Sequence, residues 1–245
     1  MKILVCISHV PDTTARIAFT DNNTAFDKTG VQYIIGPYED FALARAVELK
    51  EECGAAVTVL CVGGAETEAT IRKALAIGAD DAVRIDSEPT SASSVATQIA
   101  HYVKESNFDL ILMGRESTDY NGGVVHTMVG GLLGLPAITP VMTLEIEGSL
   151  ARISREIDGG REFMEVQMPF VAGCQEPIAE WKIPNMRGIM TARTKPLVVK
   201  ERVETDSGVN TVSYSLPEKK SGVKLVDEDN MDELAALLKN EAKVL

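Results

Sequence analysis

The sequence predicts an α/β protein built on a doubly wound, mostly parallel sheet, and its apolar patterning supports this in two ways. Over the first two thirds of the chain, short and uniformly apolar segments alternate with segments whose apolar residues recur at helical spacing. Uniformly apolar strands are typical of a parallel sheet that helices cover on both faces. Beyond residue 136 the pattern changes to longer extended segments separated by turn residues, which predicts an added antiparallel hairpin layer.

Four strand–helix units make up the amino-terminal part. The strands are expected at residues 3–7, 56–62, 81–85 and 110–113. The helices are expected at residues 38–51, between Gly64 and Gly78, at residues 91–105, and just before Gly134. Proline or glycine stands at several of their ends, where helices commonly begin or stop. Alternation of this kind specifies a doubly wound parallel sheet.

Two further regions flank these units. Residues 13–35 form an irregular insert, in which we expect short strands at residues 16–19 and 31–35. After residue 136, extended segments are expected at residues 141–146, 150–157 and 163–168. The last two are joined by Asp158-Gly159-Gly160, a sequence with a strong preference for hairpin turns.

The carboxyl-terminal part loses its periodicity from about residue 184 onward. Two prolines and the polar stretch at residues 207–222 predict an extended C-terminal arm. A final amphipathic helix at residues 231–242 places Leu234, Leu237 and Leu238 on one face. An arm of roughly 35 residues favours docking on another molecule, and folding back onto the same chain is the alternative.

Composition and charge argue against several classes of partner and site. The formal net charge of -12 argues against nucleic acid as a partner, because its phosphates are also negative. No apolar stretch approaches the roughly 20 residues of a spanning helix, so no membrane insertion is expected. The apolar amino terminus stops at Ser8 without a cleavage site, which favours a core strand and a cytoplasmic protein. The four cysteines lack ligand spacing, so we expect reduced structural thiols and no metal site.

A candidate ligand site lies at the carboxyl ends of the predicted parallel strands, where open α/β sheets bind ligands. Gly63 and Gly114 follow two of these strands and permit close approach of a ligand to the main chain. Residues 121–127 form a glycine-bearing turn that opens a helix, a place suited to a phosphate. Each glycine taken alone indicates no more than a chain turn, but together they favour a nucleotide. The sequence has no GxGxxG or Walker motif, which indicates one phosphate held by main-chain amides.

No catalytic constellation stands out in the sequence. The three histidines, His9, His101 and His126, do not combine with a nucleophile and a carboxylate in any familiar catalytic order. Asp12 follows Pro11 in a loop, where capping a turn is the ordinary role of an aspartate. We therefore expect no catalytic residues in this chain.

Seven segments of the chain carry a family resemblance. The most specific is Arg155-Glu156-Ile157-Asp158-Gly159-Gly160, and the others lie at residues 8–12, 36–43, 69–80, 114–119, 186–190 and 222–224. In order and spacing they resemble the beta subunit of electron-transfer flavoproteins. The resemblance implies an adenine-nucleotide alpha-hydrolase-like, or Rossmann-like, sheet, with structural AMP in this chain and the redox-active FAD held mainly by a larger alpha subunit. By position, it places AMP contacts at Cys6, Gly36, Val62, Gly63, Gly114, Asp119, Asn121, Gly122, Gly123, Val124 and Val125.

The resemblance implies partners as well. Residues 178–194 correspond to the family's dehydrogenase-recognition loop, in which Met186 takes the place of an apolar anchor and lies between Ile183 and Ile189. The heterodimer would accept electrons from flavin dehydrogenases such as acyl-CoA dehydrogenase and pass them to an electron-transfer flavoprotein–quinone oxidoreductase. Residues 1–195 would form the nucleotide-binding domain, with the hairpin layer at residues 138–175. Residues 196–245 would form the arm and helix that dock on the alpha subunit.

Some positions depart from the family pattern. Gly36 stands where asparagine is usual, and Val124-Val125-His126 replaces a turn that contains glutamine. The electron-bifurcating branch binds a second FAD in this subunit through a loop unlike residues 119–124, so AMP is favoured. An adenine-nucleotide-binding homodimer of the stress-protein type is another alternative. It explains the sheet but neither the hairpin nor the arm.

Overall fold

The computed structural model describes residues 1–206, 208–218 and 222–245. The described residues form one nine-stranded sheet with helices on both faces, and two small two-stranded sheets beside it. The strands are β1 (Lys2–Ile7), β2 (His9–Pro11), β3 (Phe19–Thr20), β4 (Ala25–Phe26), β5 (Tyr33–Ile35), β6 (Ala56–Val62), β7 (Asp81–Asp86), β8 (Leu110–Gly114), β9 (Ala137–Glu147), β10 (Leu150–Ile157), β11 (Gly160–Gln167), β12 (Phe170–Cys174) and β13 (Leu197–Glu201). The helices are α1 (Pro37–Cys53), α2 (Glu68–Ile77), α3 (Ala92–Lys104), α4 (Val125–Leu133), α5 (Met186–Ala192) and α6 (Met231–Leu237), which continues as a π-turn over Leu238–Ala242.

The central sheet has the strand order β11-β10-β9-β12-β8-β1-β6-β7-β13. β1 is parallel to both of its neighbours, and Val5 lies opposite Leu112 of β8 on one side and Val59 of β6 on the other. α1 and α2 cover one face of the sheet, whereas α3 and α4 cover the other. The doubly wound, mostly parallel sheet that the sequence predicts is therefore confirmed.

Alternate residues of β1 divide the hydrophobic core into two layers. Ile3, Val5 and Ile7 pack with α1 and α2, while Leu4 and Cys6 pack with α3 and α4. An unpartnered polar side chain on either face would be buried at a substantial cost in free energy. Burial on both sides therefore explains why β1 is apolar from Ile3 to Ile7, whereas Lys2 at its start is exposed.

The antiparallel hairpin extends the central sheet in its own plane. β10 pairs antiparallel with β9 and β11, and Ile157 lies opposite Gly160 across the turn that Asp158-Gly159-Gly160 predicts. β12, which the sequence analysis did not predict, joins the hairpin to the rest of the sheet because it is parallel to both β8 and β9. All five residues of β12 are buried, as its position between two strands requires.

The insert between β1 and α1 differs in detail from the prediction. β5 falls within the predicted segment 31–35, but its partner is β2, which the sequence analysis did not predict. The second small sheet pairs Phe19 with Phe26, so the strand expected at residues 16–19 is reduced to its last residue and Thr20. Strands of two or three residues are too short to leave a period in the sequence.

Two elements form in the region that lacks sequence periodicity. α5 packs on α2, and β13 adds to the edge of the sheet parallel to β7, with Leu197 opposite Ala82. The arm then follows α3 as far as Thr205. Ser207, Lys219, Lys220 and Ser221 of the predicted arm lie outside the described residues. Across the described ranges, no helix combines the length and the apolar character needed to span a bilayer.

Candidate functional site

The candidate site is built on the crevice between the carboxyl ends of β1 and β8. The chain leaves β1 toward α1 on one face of the sheet and leaves β8 toward α4 on the other. Neighbouring parallel strands whose connections diverge in this way leave a crevice in which ligands bind. The structure brings Gly36, Gly114 and Ser8, which follows β1, together around the side chain of Glu39.

The side chain of Glu39, in the first turn of α1, lies in the crevice. Its Oε1 accepts a hydrogen bond of 2.7 Å from Ser8 Oγ, whereas Oε2 is buried without a hydrogen-bond partner among the described residues. A Cβ atom on Gly36 would overlap Oε2, and one on Gly114 would stand 2.9 Å from the carboxyl carbon. Glycine at both positions therefore makes room for the Glu39 carboxyl group.

Burial governs the ionisation of this carboxyl group. Only 6% of Glu39 is exposed, and burial raises its pKa to about 7, while the Ser8 hydrogen bond opposes the rise and Asp119 and Asp40 add to it. Burial also raises the pKa of Asp40 to about 6, against the attraction of Lys73. Near neutral pH the crevice thus contains a carboxyl group that changes charge readily and has one oxygen to offer a ligand.

The end of β6 forms the next wall of the site. The Gly63 amide donates to Ile85 O at 3.0 Å, and the Gly63 carbonyl accepts from Arg84 Nη1 at 2.9 Å. A Cβ atom on Gly63 would overlap the methyl group of Thr67, so packing explains glycine here. Contacts of Val62 and Gly63 with a nucleotide stay a prediction.

Two buried thiols lie beneath the site. Burial raises the pKa of Cys61 to about 12 and raises the pKa of Cys6 further. Both thiols are therefore protonated at neutral pH and unreactive as nucleophiles. Within residues 1–206, 208–218 and 222–245 no group of three or more His, Cys, Asp or Glu side chains is arranged to hold a metal ion.

The loop at residues 115–124 approaches the crevice from the β8 side. Asp119 Oδ1 accepts hydrogen bonds from Ser117 Oγ at 2.5 Å and from Tyr120 N at 2.9 Å, which stabilise the turn of the loop. Asn121 and Gly123 have φ angles of 49° and 60°, and asparagine and glycine are the residues that most readily adopt this left-handed region. The charge of Asp119 contributes to the raised pKa of Glu39, and a contact of Asp119 with a nucleotide stays a prediction.

α4 begins where this loop ends. Val124 is its cap residue, and the first N–H groups of the helix have no acceptor inside it. These groups and the positive end of the helix dipole favour an anion such as a phosphate. His126 in the same turn is buried, and burial lowers its pKa to about 4, so the imidazole is neutral and adds no charge.

Arg115 connects the crevice to the antiparallel hairpin. Its guanidinium carbon lies 5.2 Å from the centroid of the Tyr38 ring, and its Nη1 donates to Gln175 Oε1 at 2.7 Å. Gln175 Nε2 in turn donates to Glu156 Oε2 at 2.8 Å. The segment 155–160, which carries the most specific part of the family resemblance, is therefore bonded to the elements that form the crevice.

Comparison with known proteins identifies the family. The electron transfer flavoprotein domain matches residues 24–205 of the chain. The chain belongs to the electron transfer flavoprotein family. The electron transfer flavoprotein subunit beta of Bacillus subtilis is 34% identical over 259 residues, covering 100% of both chains. The subunit beta of Syntrophomonas wolfei is 35% identical over 250 residues, covering 100% of this chain and 98% of the relative.

A third relative bears a more specific name. The acryloyl-CoA reductase electron transfer subunit gamma of Anaerotignum propionicum is 30% identical over 206 residues, covering 81% of this chain and 77% of the relative. Together these comparisons confirm the resemblance to electron transfer flavoprotein beta subunits that the sequence segments indicate. Members of this family carry electrons and are not themselves catalysts.

The predicted recognition loop of this electron transfer flavoprotein chain is exposed and firmly held. Ile183, Met186 and Ile189 are 74%, 75% and 42% exposed. Asn185 Oδ1 caps α5 by accepting from Gly188 N at 2.8 Å. From α2, Arg72 Nη1 donates to the carbonyls of Ala192 and Lys195 at 2.9 and 2.8 Å. The structure therefore presents the three predicted docking residues on a short, well-anchored apolar segment.

The arm also contacts the loop that faces the crevice. Tyr214 N donates to Asn23 O at 2.7 Å, and the Tyr214 ring stacks on Phe19 with the centroids 5.1 Å apart. A side-chain hydrogen bond joins Tyr214 to Tyr120 and raises the pKa of Tyr120 to about 12. The arm thereby links the insert to the loop at residues 115–124.

Glu39 and Arg115 are the residues of the site that the sequence analysis missed. Glu39 stands three positions after the helix cap residue Gly36, where an acidic side chain commonly complements the helix dipole. That spacing was the available signal, but it does not distinguish an exposed carboxylate from a buried one. Arg115 lies inside a segment that carries the resemblance, and its position next to Gly114 was the signal for it.

Proposed function

We propose that this member of the beta-subunit family holds structural AMP in the crevice between β1 and β8 and pairs with a larger alpha subunit that mainly holds FAD. The heterodimer carries electrons from flavin dehydrogenases to a quinone reductase. Membership of an electron-carrier family supports this role. The chain contributes the scaffold, the nucleotide site and the docking surface, and no catalytic residue of its own.

The proposal that AMP binds in the crevice rests mainly on the distribution of polar groups there. The amino end of α4 presents unpaired N–H groups on one side, and the buried carboxyl group of Glu39 presents an unpaired oxygen on the other. One helix amino end suits one phosphate group, and a buried acceptor suits the neutral hydrogen-bond donors of a nucleoside. A nucleoside monophosphate such as AMP has both parts, so the residues present fit it.

FAD in the complex supplies the redox chemistry by accepting and releasing electrons. The residues of this chain bind the nucleotide and orient the partner proteins. Its buried thiols stay protonated, and neutral His126 has no charge to exchange at neutral pH. The Arg115–Gln175–Glu156 connection holds the hairpin in a fixed position relative to the crevice. These features support a structural and binding role for the chain.

Exposed apolar residues of the arm support docking on the alpha subunit. Val212, Val223 and Leu225 are all more than 80% exposed, and α6 has no buried residue. Apolar surface of this extent is unusual on a monomer and typical of a surface that a partner covers. We therefore assign residues 196–245 to the interface with the alpha subunit, apart from β13, which completes the edge of the sheet.

The recognition loop supports a dehydrogenase partner that has an apolar pocket. Ile183 and Met186 are largely exposed, while the cap at Asn185 and the bonds from Arg72 fix the segment that carries them. Anchors presented on a rigid segment lose little conformational entropy on binding. The relative named as a subunit of acryloyl-CoA reductase supports a partner that acts on acyl-CoA thioesters, such as acyl-CoA dehydrogenase.

An anaerobic flavin-reduction experiment tests the shuttle. The chain is co-expressed with a candidate alpha subunit, and the purified complex is mixed with an acyl-CoA dehydrogenase and its acyl-CoA substrate. The account predicts loss of the visible flavin absorbance of the complex only when both dehydrogenase and substrate are present. A complex that no flavin dehydrogenase in a representative panel reduces would overturn the proposed electron donor.

A further inference from the structure

Glu39 is the most buried acidic residue at the crevice, and one of its two carboxyl oxygens has no hydrogen-bond partner among the described residues. Oε1 is satisfied by Ser8, but Oε2 has no partner among the described residues although it is inaccessible to solvent. Buried polar atoms in native proteins almost always have a partner, because leaving one unpaired is costly. Such an atom in a binding crevice indicates that a bound ligand supplies the missing donor.

A purely structural role does not account for Glu39. An acid at this helix position ordinarily complements the dipole from the surface, where water completes its hydrogen bonds. Here the chain uses glycine at both Gly36 and Gly114, and the carboxyl group occupies the space that side chains there would fill. The fold therefore brings the carboxyl group from α1 into the gap between β1 and β8, the kind of position at which open α/β sheets bind ligands.

Charge determines which part of a nucleotide this carboxyl group can face. Asp119 and Asp40 act on Glu39 with the same sign, so this side of the crevice repels a phosphate. The amino end of α4, which attracts a phosphate, borders the crevice through the loop that follows β8. This distribution of charge favours a nucleotide whose phosphate lies at α4 and whose nucleoside lies at Glu39.

We propose that Glu39 determines the ligand specificity of this site by accepting, through Oε2, a hydrogen bond from a neutral O–H or N–H donor of the bound nucleoside. The donor is a ribose hydroxyl or the exocyclic amine of adenine. The inference rests on the proposed function, because it assigns one contact inside the nucleotide site.

The test compares nucleotides in the wild-type complex and in two variants of Glu39. The full chain is purified with its alpha subunit, freed of nucleotide in mild denaturant, and titrated calorimetrically with AMP, 2′-deoxy-AMP, 3′-deoxy-AMP and IMP. The two deoxy nucleotides each lack one ribose hydroxyl, and IMP lacks the exocyclic amine. Glu39→Ala removes the acceptor, and Glu39→Gln keeps its size, so at least one variant is expected to fold.

We expect the wild-type complex to bind one of the three analogues ~10–100-fold more weakly than AMP, which is the usual effect of one lost hydrogen bond to a charged group. In Glu39→Ala, which has no acceptor, this difference should shrink to about twofold or less, and in Glu39→Gln, whose uncharged amide oxygen is a weaker acceptor, it should fall below about tenfold. If the analogue binds more weakly than AMP by the same factor in the wild type and in the variants, the role of Glu39 is overturned while the AMP site remains. Equal binding of all four nucleotides by the wild type would overturn it as well. Failure of the wild-type complex to bind AMP at all would overturn both this inference and the proposed nucleotide site.

Discussion

Gln98 of α3 bonds both main-chain groups of Val203 in the arm. Gln98 Nε2 donates to Val203 O at 2.7 Å, and Val203 N donates to Gln98 Oε1 at 2.9 Å. Gln98 is only 2% exposed, so one side chain pairs with the arm as a neighbouring strand would. This contact sets where the arm leaves the domain after β13, and hence the direction in which the remaining residues extend.

Replacing Gln98 should release the arm. Gln98→Ala leaves the amide and carbonyl of Val203 without partners, and we expect a loss of about 1–3 kcal/mol of local stability. Hydrogen exchange followed by mass spectrometry should show much faster exchange at residues 202–206, with little change in β1 or β6. His101→Ala, on the exposed side of the same helix, is the control. Equal protection of the arm in both variants would contradict the role of Gln98.

Replacing Met186 in the recognition loop should slow electron transfer from the dehydrogenase. Met186→Ala removes an exposed side chain, so the fold, the AMP content and the FAD content should not change. Loss of an interface anchor commonly costs about 2 kcal/mol or more, so the second-order rate of flavin reduction by the dehydrogenase should fall roughly 30-fold. Phe163→Ala removes an equally exposed apolar side chain from β11 and should leave the rate unchanged. A normal rate in Met186→Ala would remove this residue from the docking surface.

Two glycines provide a matched test of packing. A Cβ atom on Gly188 would overlap the main-chain carbonyl of Ala76, whereas one on Gly131 meets nothing within 4 Å. Gly188→Ala should therefore push α5 away from α2 and destabilise the protein by about 1–3 kcal/mol. Gly131→Ala, in an open helical position, should stabilise it by about 0.5–1 kcal/mol. Thermal unfolding should shift in opposite directions, and a stabilising Gly188→Ala would contradict the described contact.

The raised pKa of Glu39 predicts a stability that depends on pH. Burial raises this pKa from 4.5 to about 7, so between these values the folded chain holds a proton that the unfolded chain has released. Stability from this group is thus complete below about pH 4.5 and is lost as the pH rises toward 7, by about 3 kcal/mol in total. The groups that face or act on Glu39 are Ser8, Asp119, Asp40 and the protonated thiols Cys6 and Cys61.

Glu39→Gln isolates this contribution. The amide of the variant cannot ionise. The free energy of unfolding of the variant, measured with urea and without nucleotide, should therefore rise relative to that of the wild type when the pH is raised from 5 to 8. The free energy of unfolding of the variant should still decrease as the pH rises, because burial raises the pKa of Asp40 to about 6 and this carboxyl group remains. A difference between variant and wild type that does not change with pH would show that Glu39 is solvated.

The sequence predicted the parallel core well because burial on both faces leaves a clear pattern. Ala56–Val62 is recovered in full, and the turn at Asp158-Gly159-Gly160 lies where hairpin chemistry places it. β12 escaped prediction because Phe170–Cys174 is a short apolar run that follows another extended segment after a single proline. β13 has only one partner strand, so its exposed edge carries little apolar signal.

The site was less predictable because it depends on tertiary contacts. The glycines were visible in the sequence, but what fills the space beside them was not. Gly36 and Gly114 accommodate Glu39, and Gly63 accommodates Thr67. The distance along the chain between Gly36 and Gly114 conceals this relation, because only the pairing of β1 with β8 brings them together. The exposure of Met186 likewise depends on how α5 packs against α2.

The nucleotide content of the complex tests the central claim most directly. The chain is co-expressed with its alpha subunit, the purified heterodimer is denatured, and the released FAD and AMP are quantified by chromatography against protein. The account predicts one FAD and one AMP per heterodimer. Two FAD molecules without AMP would place a flavin in the crevice and contradict the assigned ligand. A flavin-free homodimer would contradict the assigned function altogether.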